Sequence, residues 1–507
     1  MQLGRSSKDI INSYLYWSSL YSLPRCIFTI MLSSLSYYLS TEYWYFSWIA
    51  LLLLCLYALK GSSFFTFLTG FFSYLLGSSN PHAVLPLIVY WPLIIINAIL
   101  FASVLAIFHH FAVKWKGRDT SFIFACGLTA QEFIVSLYSP HGTVHSIAYT
   151  QISNPPIVQI ASITGIWGIT FLMALIPASI ALAYHYPQNR RLTIKTNLIP
   201  VSLLLFTILF GFYRLHTPLE GPSIKVGIAS ISTNLEQYAV VAANRDRHQV
   251  TDTIQRYIQK IDLLAQSGAE VVLLPEKIIT IEKYDDNFQR LFNTAQKNKV
   301  NLIVGVTRKD DRDFYNSAYI FSPAGEVLLE YDKKHLLPAF ESRYTSGTTL
   351  GIIDKWGIEI CKDMDFTQPA LDYSKQGVNI VFVPALDFHD DGWSHARVAI
   401  MRGVEGNYAV ARAGQWGLLT LSDSRGRIIN MVYSDVEDDS GAVLVSKVDL
   451  GQGKSIYSKL GNSFGWLCLG MFIILSISML IIIPNKSKIR EMKIWIAELL
   501  KKRHSRL

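Results

Sequence analysis

Residues 352–363 read Ile-Ile-Asp-Lys-Trp-Gly-Ile-Glu-Ile-Cys-Lys-Asp. A mostly apolar, β-branched run that stops on charged residues reads as a buried strand over 352–361, with Cys361 at its tip. In α/β folds, reacting groups gather beyond the carboxyl ends of such strands. Two earlier strands end in the same manner: Leu-Leu-Pro-Glu closes on Glu276, and Glu-Tyr-Asp-Lys-Lys-His carries Lys333. Further strands read at 224–230, 271–274, 302–306, 317–321, 327–331, 380–384, 410–413, 418–421 and 442–448, with helices at 244–266, 286–298 and 394–407. Strands apolar on both faces, alternating with helices, imply sheets covered by helices. Taken singly, each polar strand end also reads as a solvated turn.

Cysteine placement adds weight to Cys361. Cys26, Cys55, Cys126 and Cys468 fall in or beside long apolar stretches, and Cys361 alone lies in the polar middle of the chain. By position alone it reads equally as a small core residue or as a thiol kept for its chemistry.

Half of the 507 residues are hydrophobic and the mean hydropathy is positive, which points to a membrane protein. A bilayer core of ~30 Å takes about 20 apolar residues in helical form. On that measure about eight spans are expected, at 24–40, 44–59, 64–76, 85–113, 121–138, 156–184, 198–213 and 464–484. The division that follows is a membrane domain at 1–213, an inserted domain at 214–461, a closing span at 462–484 and a basic tail at 485–507. Lys and Arg cluster in every second loop, whereas the loops at 41–43, 78–85 and 139–154 have neither. The positive-inside rule then puts both termini in the cytoplasm and the inserted domain on the far side. The tail supplies most of the net charge of +8, with only Glu491 and Glu498 opposing its basic residues. Such a tail reads as an anchor to anionic lipid rather than a nucleic-acid site. The stretch ahead of the first span does not read as a cleavable signal, so the N-terminus is expected to be retained.

Glu276, Lys333 and Cys361, in that order at three strand ends, resemble the Glu-Lys-Cys site of the nitrilase superfamily. The segment Lys-Lys-His-Leu-Leu-Pro-Ala-Phe-Glu, from Lys333 to Glu341, is similar to the Lys-x-x-Leu-x-Pro-Phe-Gly-Glu pattern of apolipoprotein N-acyltransferases. Asp363 takes an acidic position two residues after the cysteine, and Lys362 stands where the family has tyrosine. Met-Arg-Gly-Val-Glu with Arg402 and Glu405, Val-Ala-Arg-Ala-Gly with Arg412, and Asp-Ser-Arg-Gly-Arg-Ile from Asp423 resemble the family's closing helix and hairpin. The stretch 145–171, with Tyr-Thr-Gln at Tyr149 and Gly-Ile-Trp-Gly-Ile-Thr-Phe at Gly165, is similar to the family's sixth span and the loop before it.

The resemblance implies a four-layer αββα sandwich set between membrane spans. It implies Cys361 as nucleophile, Glu276 as base and Lys333 at the oxyanion, with Glu341, Asp363, Lys362, Arg402 and Glu405 in supporting or substrate-binding places. For Lys333, a structural ion pair with Glu341 stands beside the catalytic role. A phospholipid acyl donor and a diacylated lipoprotein acceptor are implied, without metal or organic cofactor, in a monomer of the bacterial inner membrane. The family's Gln-x-Asn opening is reduced here to Ser-Ile-Ser-Thr-Asn at 230–234, and the connection from Glu341 to Cys361 is short.

Three other readings compete. A membrane-tethered amidase or acyltransferase acting on another amide or ester would use the same residues. A metallohydrolase would need His389, Asp390, Asp391 and His395, which lack a zinc-ligand spacing. A transporter would use Glu132, an acid within the fifth span, although a structural hydrogen bond accounts for it equally well.

Overall fold

The computed structural model describes residues 7–78, 87–115, 120–186, 190–242, 246–282, 285–338, 340–388, 391–434, 441–478 and 480. The basic tail at 485–507 lies outside them. The chain opens with helices α1 (Ser7–Leu39), α2 (Tyr45–Ala58), α3 (Ser63–Ser78), α4 (Leu87–Trp115) and α5 (Thr120–Tyr138). Two short helices, α6 (Pro155–Val158) and α7 (Ala161–Thr164), precede the long α8 (Ile166–His185) and α9 (Arg190–His216).

Among the described residues four helical segments are long and apolar enough to cross a membrane: Trp91–Lys114, Thr120–Tyr138, Ile166–His185 and Asn197–His216. The stretches expected at 44–59, 64–76 and 464–484 form the shorter apolar helices Tyr45–Ala58, Ser63–Ser78 and Ser463–Ser478. The single helix expected over 156–184 is broken at Gly165. Its φ is +66°, and a Cβ there would lie 2.5 Å from the Tyr457 ring. Only glycine accepts both conditions, so the chain turns and restarts as α8.

The α/β unit contains β1 (Ser223–Ala229), α10 (Leu235–Ala242), α11 (Arg247–Gln266), β2 (Val271–Leu273), β3 (Thr280–Glu282), α12 (Asp286–Asn298), β4 (Asn301–Asp310), β5 (Asp313–Phe321) and β6 (Val327–Asp332). It continues through β7 (Gly351–Ile353), β8 (Trp356–Ile358), α13 (Thr367–Gln376), β9 (Ile380–Leu386), α14 (Gly392–Gly406), β10 (Ala409–Gln415), β11 (Leu418–Ser422), β12 (Ile428–Tyr433), β13 (Val443–Asp449) and α15 (Ile456–Leu460). The apolar helix Ser463–Ser478, α16, ends the described run.

One sheet has the order β13-β1-β2-β4-β5-β6, with β3 also on β4, and the other β12-β11-β10-β9-β8-β7. Ile228, Leu273 and Ile303 of the first share an apolar layer with Ile360, Phe382 and Ala411 of the second. On the outer face of the first sheet, Ile254 and Ile261 of α11 and Leu291 of α12 belong to one core cluster with Val272, Leu302 and Val304 of its strands. Leu371 of α13 and Met401 of α14 cover the second sheet, in one apolar cluster with Trp167 and Phe133 of the membrane-length helices. The result is an αββα sandwich whose last helical layer is shared with the helical region.

The strand expected over 352–361 is a hairpin. Asp354 has φ +50° and turns the chain, so that Ile353 pairs with Trp356. Asp and Asn tolerate this left-handed region better than most residues, and the chain reaches Cys361 from β8.

Polar contacts fasten the α/β unit to the helices. Arg402 of α14 is fully buried; it pairs with Glu405 and donates to Tyr149 Oη at 2.5 Å and to the Met364 carbonyl at 2.9 Å. Glu405 accepts the Ile166 N–H at 2.8 Å, at the amino end of α8, where the helix dipole favours a carboxylate. Thr143 donates to the Asp365 carbonyl at 2.7 Å. In α5, Glu132 accepts from Ser146 Oγ, Thr170 Oγ1 and the Ile147 N–H, which ties this acid of a membrane-length helix to the next segment.

Glu359, two residues before Cys361, is fully buried, and neither carboxylate oxygen has a hydrogen-bond partner among the described residues. Burial, with Asp363 adding to it, holds its pKa well above the ordinary value. The folded chain therefore binds this proton more tightly than the unfolded chain does. The resulting penalty is absent below about pH 4, the ordinary glutamate range, and grows as pH rises. Thermal unfolding of the full chain in detergent should show Glu359→Gln raising Tm more at pH 8 than at pH 5. An equal shift at both would contradict this.

Candidate active site

The loop after β2 carries Glu276 into the space between the sheets. Gly305 of β4 makes room, since a Cβ there would meet the Pro275 carbonyl oxygen at 2.5 Å and Glu276 Cα at 2.7 Å. The Gly305 N–H donates to the Pro275 carbonyl at 3.1 Å, and the Glu276 N–H reaches the Ala385 carbonyl of the second sheet at 3.3 Å. Lys333 follows β6 and is held there by its N–H on the Asn316 carbonyl at 2.8 Å.

The charged groups form one buried cluster. Glu276, Lys333 and Glu341 are 1%, 3% and 2% exposed. Lys333 Nζ lies 2.9 Å from Glu276 Oε1 and 3.0 Å from Glu341 Oε2. Lys277 Nζ sits 2.8 Å from Glu341 Oε1 and 3.7 Å from Glu276 Oε1. Asn316 Nδ2 donates to both carboxylates, at 2.5 and 2.6 Å. Two carboxylates thus balance two ammonium groups, which offsets the cost of removing them from water. Although burial opposes its charge, Lys333 keeps its proton well above the usual lysine range because Glu276 and Glu341 face it. Burial likewise acts against the Glu341 carboxylate, but Lys333 and Lys277 outweigh it and hold its pKa far down. The second oxygen of Glu276, Oε2, has no hydrogen-bond partner among the described residues and is open to chemistry.

Cys361 stands at an elbow with φ +43°, between β8 and a 3-10 turn over Cys361–Asp365. A left-handed non-glycine residue costs roughly 1–3 kcal/mol, which the surrounding structure must hold. Asp363 supplies that support: it accepts the Ile360 N–H at 3.2 Å, Tyr331 Oη at 2.8 Å and the His335 N–H at 2.8 Å. The Cys361 thiol is 3.7 Å from the Leu386 carbonyl oxygen. Burial first, then the Glu276 and Asp387 charges, push the thiol pKa up, against the pull of Lys333 and Arg412. The resting sulfur is therefore a thiol that needs a base.

The residues expected from the sequence divide into groups. Glu276, Lys333, Glu341 and Cys361 share one electrostatic cluster, and Asp363 braces the elbow. Lys362 turns its ammonium to the Pro140 carbonyl and to His141 Nδ1 at 3.4 Å, in the loop after α5. Burial and that ammonium lower His141 to about 4. Arg402 and Glu405 bond to the helical region, as described above, rather than to Glu276, Lys333 or Cys361. Of the residues weighed for a metal, His389 and Asp390 lie outside the described residues, and His395 pairs with Asp391 at 3.3 Å.

Sequence reading alone misses Lys277, Asn316 and Asp387. Lys277 directly follows Glu276, and Asn316 is a polar residue at the start of the buried part of β5, so both left a trace. Asp387, just past the end of β9, forms a forked pair with Arg412 of β10, and Gly414 and Gly417 leave space for its carboxylate.

The two-sheet fold defines the class, a nitrilase-like α/β sandwich, and the Carbon-nitrogen hydrolase family profile matches residues 237–463. A second profile, the Apolipoprotein N-acyltransferase N-terminal domain, matches residues 31–179. The apolipoprotein N-acyltransferase of Geobacter metallireducens is 27% identical over 64% of this chain and 67% of its own. Apolipoprotein N-acyltransferase 2 of Treponema denticola is 25% identical over 70% of this chain and 75% of its own. A solved carbon-nitrogen hydrolase from Helicobacter pylori matches with a TM-score of 0.37 and 14% identity, over 45% of this chain and 90% of that one. The chain belongs to the apolipoprotein N-acyltransferase family.

The raised thiol pKa has a measurable consequence. Iodoacetamide alkylation of Cys361, followed by peptide mass spectrometry, should be slow at pH 7.5 and still accelerating at pH 9, because the thiolate fraction keeps rising there. A plateau below pH 8 would mean a thiolate is already present at neutral pH.

Proposed function

We propose that this chain moves an acyl chain from a membrane phospholipid, through a thioester on Cys361, to the α-amino group of a diacylglyceryl-cysteine at the start of a lipoprotein. The observation that carries the reading is the buried Glu276–Lys333–Glu341 cluster around a protonated Cys361, in a chain of this family.

In the first half-reaction Cys361 Sγ attacks the ester carbonyl while its proton passes to the open Oε2 of Glu276. The Lys333 ammonium and the Lys362 backbone N–H stabilise the oxyanion. The carbon–oxygen bond then breaks, and the lysophospholipid alkoxide takes the proton back from Glu276. In the second half, the acceptor's amine attacks the thioester and gives its proton to Glu276. The Cys361 thiolate leaves and is reprotonated, so each half-cycle returns the enzyme to its starting charge.

The reading includes the architecture. Eight spans, a membrane domain at 1–213, a catalytic domain at 214–461 and a closing span at 462–484 hold the site at the outer face of a bacterial inner membrane. Both termini, with the tail at 485–507, are cytoplasmic, and the chain works as a monomer. Both substrates are lipids, so a site confined to the membrane surface meets them at high effective concentration. Glu276 and Glu341 keep Lys333 charged and in place, Lys277 pairs with Glu341, and Asp363 holds the elbow.

A labelled-phospholipid assay tests the reading. Label should move from donor to a diacylated lipopeptide, and Glu276→Gln should slow the transfer by roughly 10²–10⁴-fold, the usual size of general acid–base catalysis. Hydrolysis of a soluble amide with no lipid donor and no transfer would assign the same residues to an amidase instead.

A further inference from the structure

The segment just after α9, the β11–β12 turn and the residues after β13 border a half-open cavity, lined by Thr217, Glu220, Asn407, Ser424, Arg425 and Gln452 among others. It lies at the other end of the six-stranded sheet from Cys361. Strands β8, β9 and β10 are parallel and their carboxyl ends face the Cys361 site. The cavity sits beyond the amino end of β10, about 20 Å away at ~3.3 Å per residue.

Its polar groups are built but not satisfied. Ser424 is fully buried, and among the described residues neither its Oγ nor the buried Arg425 Nε has a hydrogen-bond partner. Arg214, 7% exposed, stands behind the cavity wall: it donates to Asn407 Oδ1 at 3.0 Å and to Gln159 Oε1 at 3.3 Å. The Gln159 amide in turn donates to the Arg425 carbonyl at 2.8 Å. Among the described residues neither Arg214 nor Arg425 has a carboxylate at ion-pair distance. Asp423, the nearby acid, is already occupied by the N–H groups of Arg425 and Arg427 and the Arg427 guanidinium. Burial lowers the Arg425 pKa, and Asp423 offsets that only in part.

The position is as informative as the chemistry. Arg214 follows Tyr213, 71% exposed, at the end of a helix whose Leu205, Phe206 and Leu209 are also exposed. This is the level at which an apolar helix leaves a bilayer. Two guanidinium groups and a buried hydroxyl around a hollow at that level fit a phosphate anion. Glu220, exposed at the rim, disfavours a bare phosphate but suits the amine of a zwitterionic headgroup.

We propose that this cavity binds the phosphodiester headgroup of a membrane lipid, its phosphate on Arg425 and Ser424 with Arg214 behind, and its amine toward Glu220. The site is separate from the acyl-transfer pocket and holds a lipid that docks the end of α9 against the α/β unit without being consumed.

Short-chain phosphatidylethanolamine, titrated into the delipidated full-length chain in detergent with Tm as readout, tests this. The ligand should raise Tm of the wild type, with Arg425→Gln weakening the response by about tenfold, the scale of a charge-assisted hydrogen bond, and Arg425→Lys weakening it less. Binding in the acyl-transfer pocket is common to all three proteins and cancels. Cys361 acyl-enzyme formation should be unchanged in Arg425→Gln, which keeps this outcome distinct from the transfer proposal. If Arg425→Gln fails to fold, Ser424→Ala gives the same comparison with a smaller loss. Identical responses in wild type and variant would overturn the site. A response to inorganic phosphate equal to that for the lipid would overturn the lipid as its occupant.

Discussion

Lys333 lies between Glu276 and Glu341 with all three side chains withdrawn from water, and much of the α/β unit is arranged to keep it there. Separating one buried charge from its partner costs about 3–5 kcal/mol, a large part of a domain's net stability. Asn316 and Lys277 complete the neutralisation. The same balance has a chemical use. A lysine whose proton is held well above the usual range is a cation facing Cys361, and a carboxylate with one oxygen bound and the other open is fixed in direction with a free site for a proton.

The helical region is more than an anchor. The helical layer over the second sheet shares one apolar cluster with the membrane-length helices, and Arg402 crosses that boundary with bonds to Glu405, Tyr149 and the carbonyls after Cys361. The 3-10 turn that begins at Cys361 is therefore held from below: Asp365 by Thr143, Met364 by Arg402, and Lys362 by Pro140. A change in the loop after α5 is transmitted to the elbow through two or three hydrogen bonds. This explains why the family resemblance of the sequence extends through Tyr149 and Gly165, far from Cys361 along the chain: Tyr149 meets Arg402, and Gly165 gives way to Tyr457.

Much of the site was legible because it lies at strand ends, where an acid, a lysine or a thiol after an apolar run stands out. The helix at 286–298 and the strands around Glu276 and Lys333 follow the apolar periodicity closely. The misreadings have local causes. The turn at Asp354 has no glycine to announce it, so β7 and β8 read as one strand. The break at Gly165 depends on the Tyr457 ring, nearly 300 residues away in sequence, which no local pattern can register. Arg402 and Glu405 stood out in the sequence by motif alone; their partners, Tyr149 and the Met364 carbonyl for Arg402 and the Ile166 N–H for Glu405, emerge only in the folded chain. Asn316 and Asp387 matter through partners on other strands, and pairing of that kind is invisible until the sheets are assembled.

The account stands or falls on what Cys361 carries. Intact-protein mass spectrometry of the full chain after incubation with a phospholipid of defined acyl length should show an added mass equal to one acyl chain. The adduct should be released by hydroxylamine and absent in Cys361→Ala. A folded wild-type protein that shows no such adduct, or one that persists when Cys361 is replaced, would contradict the account.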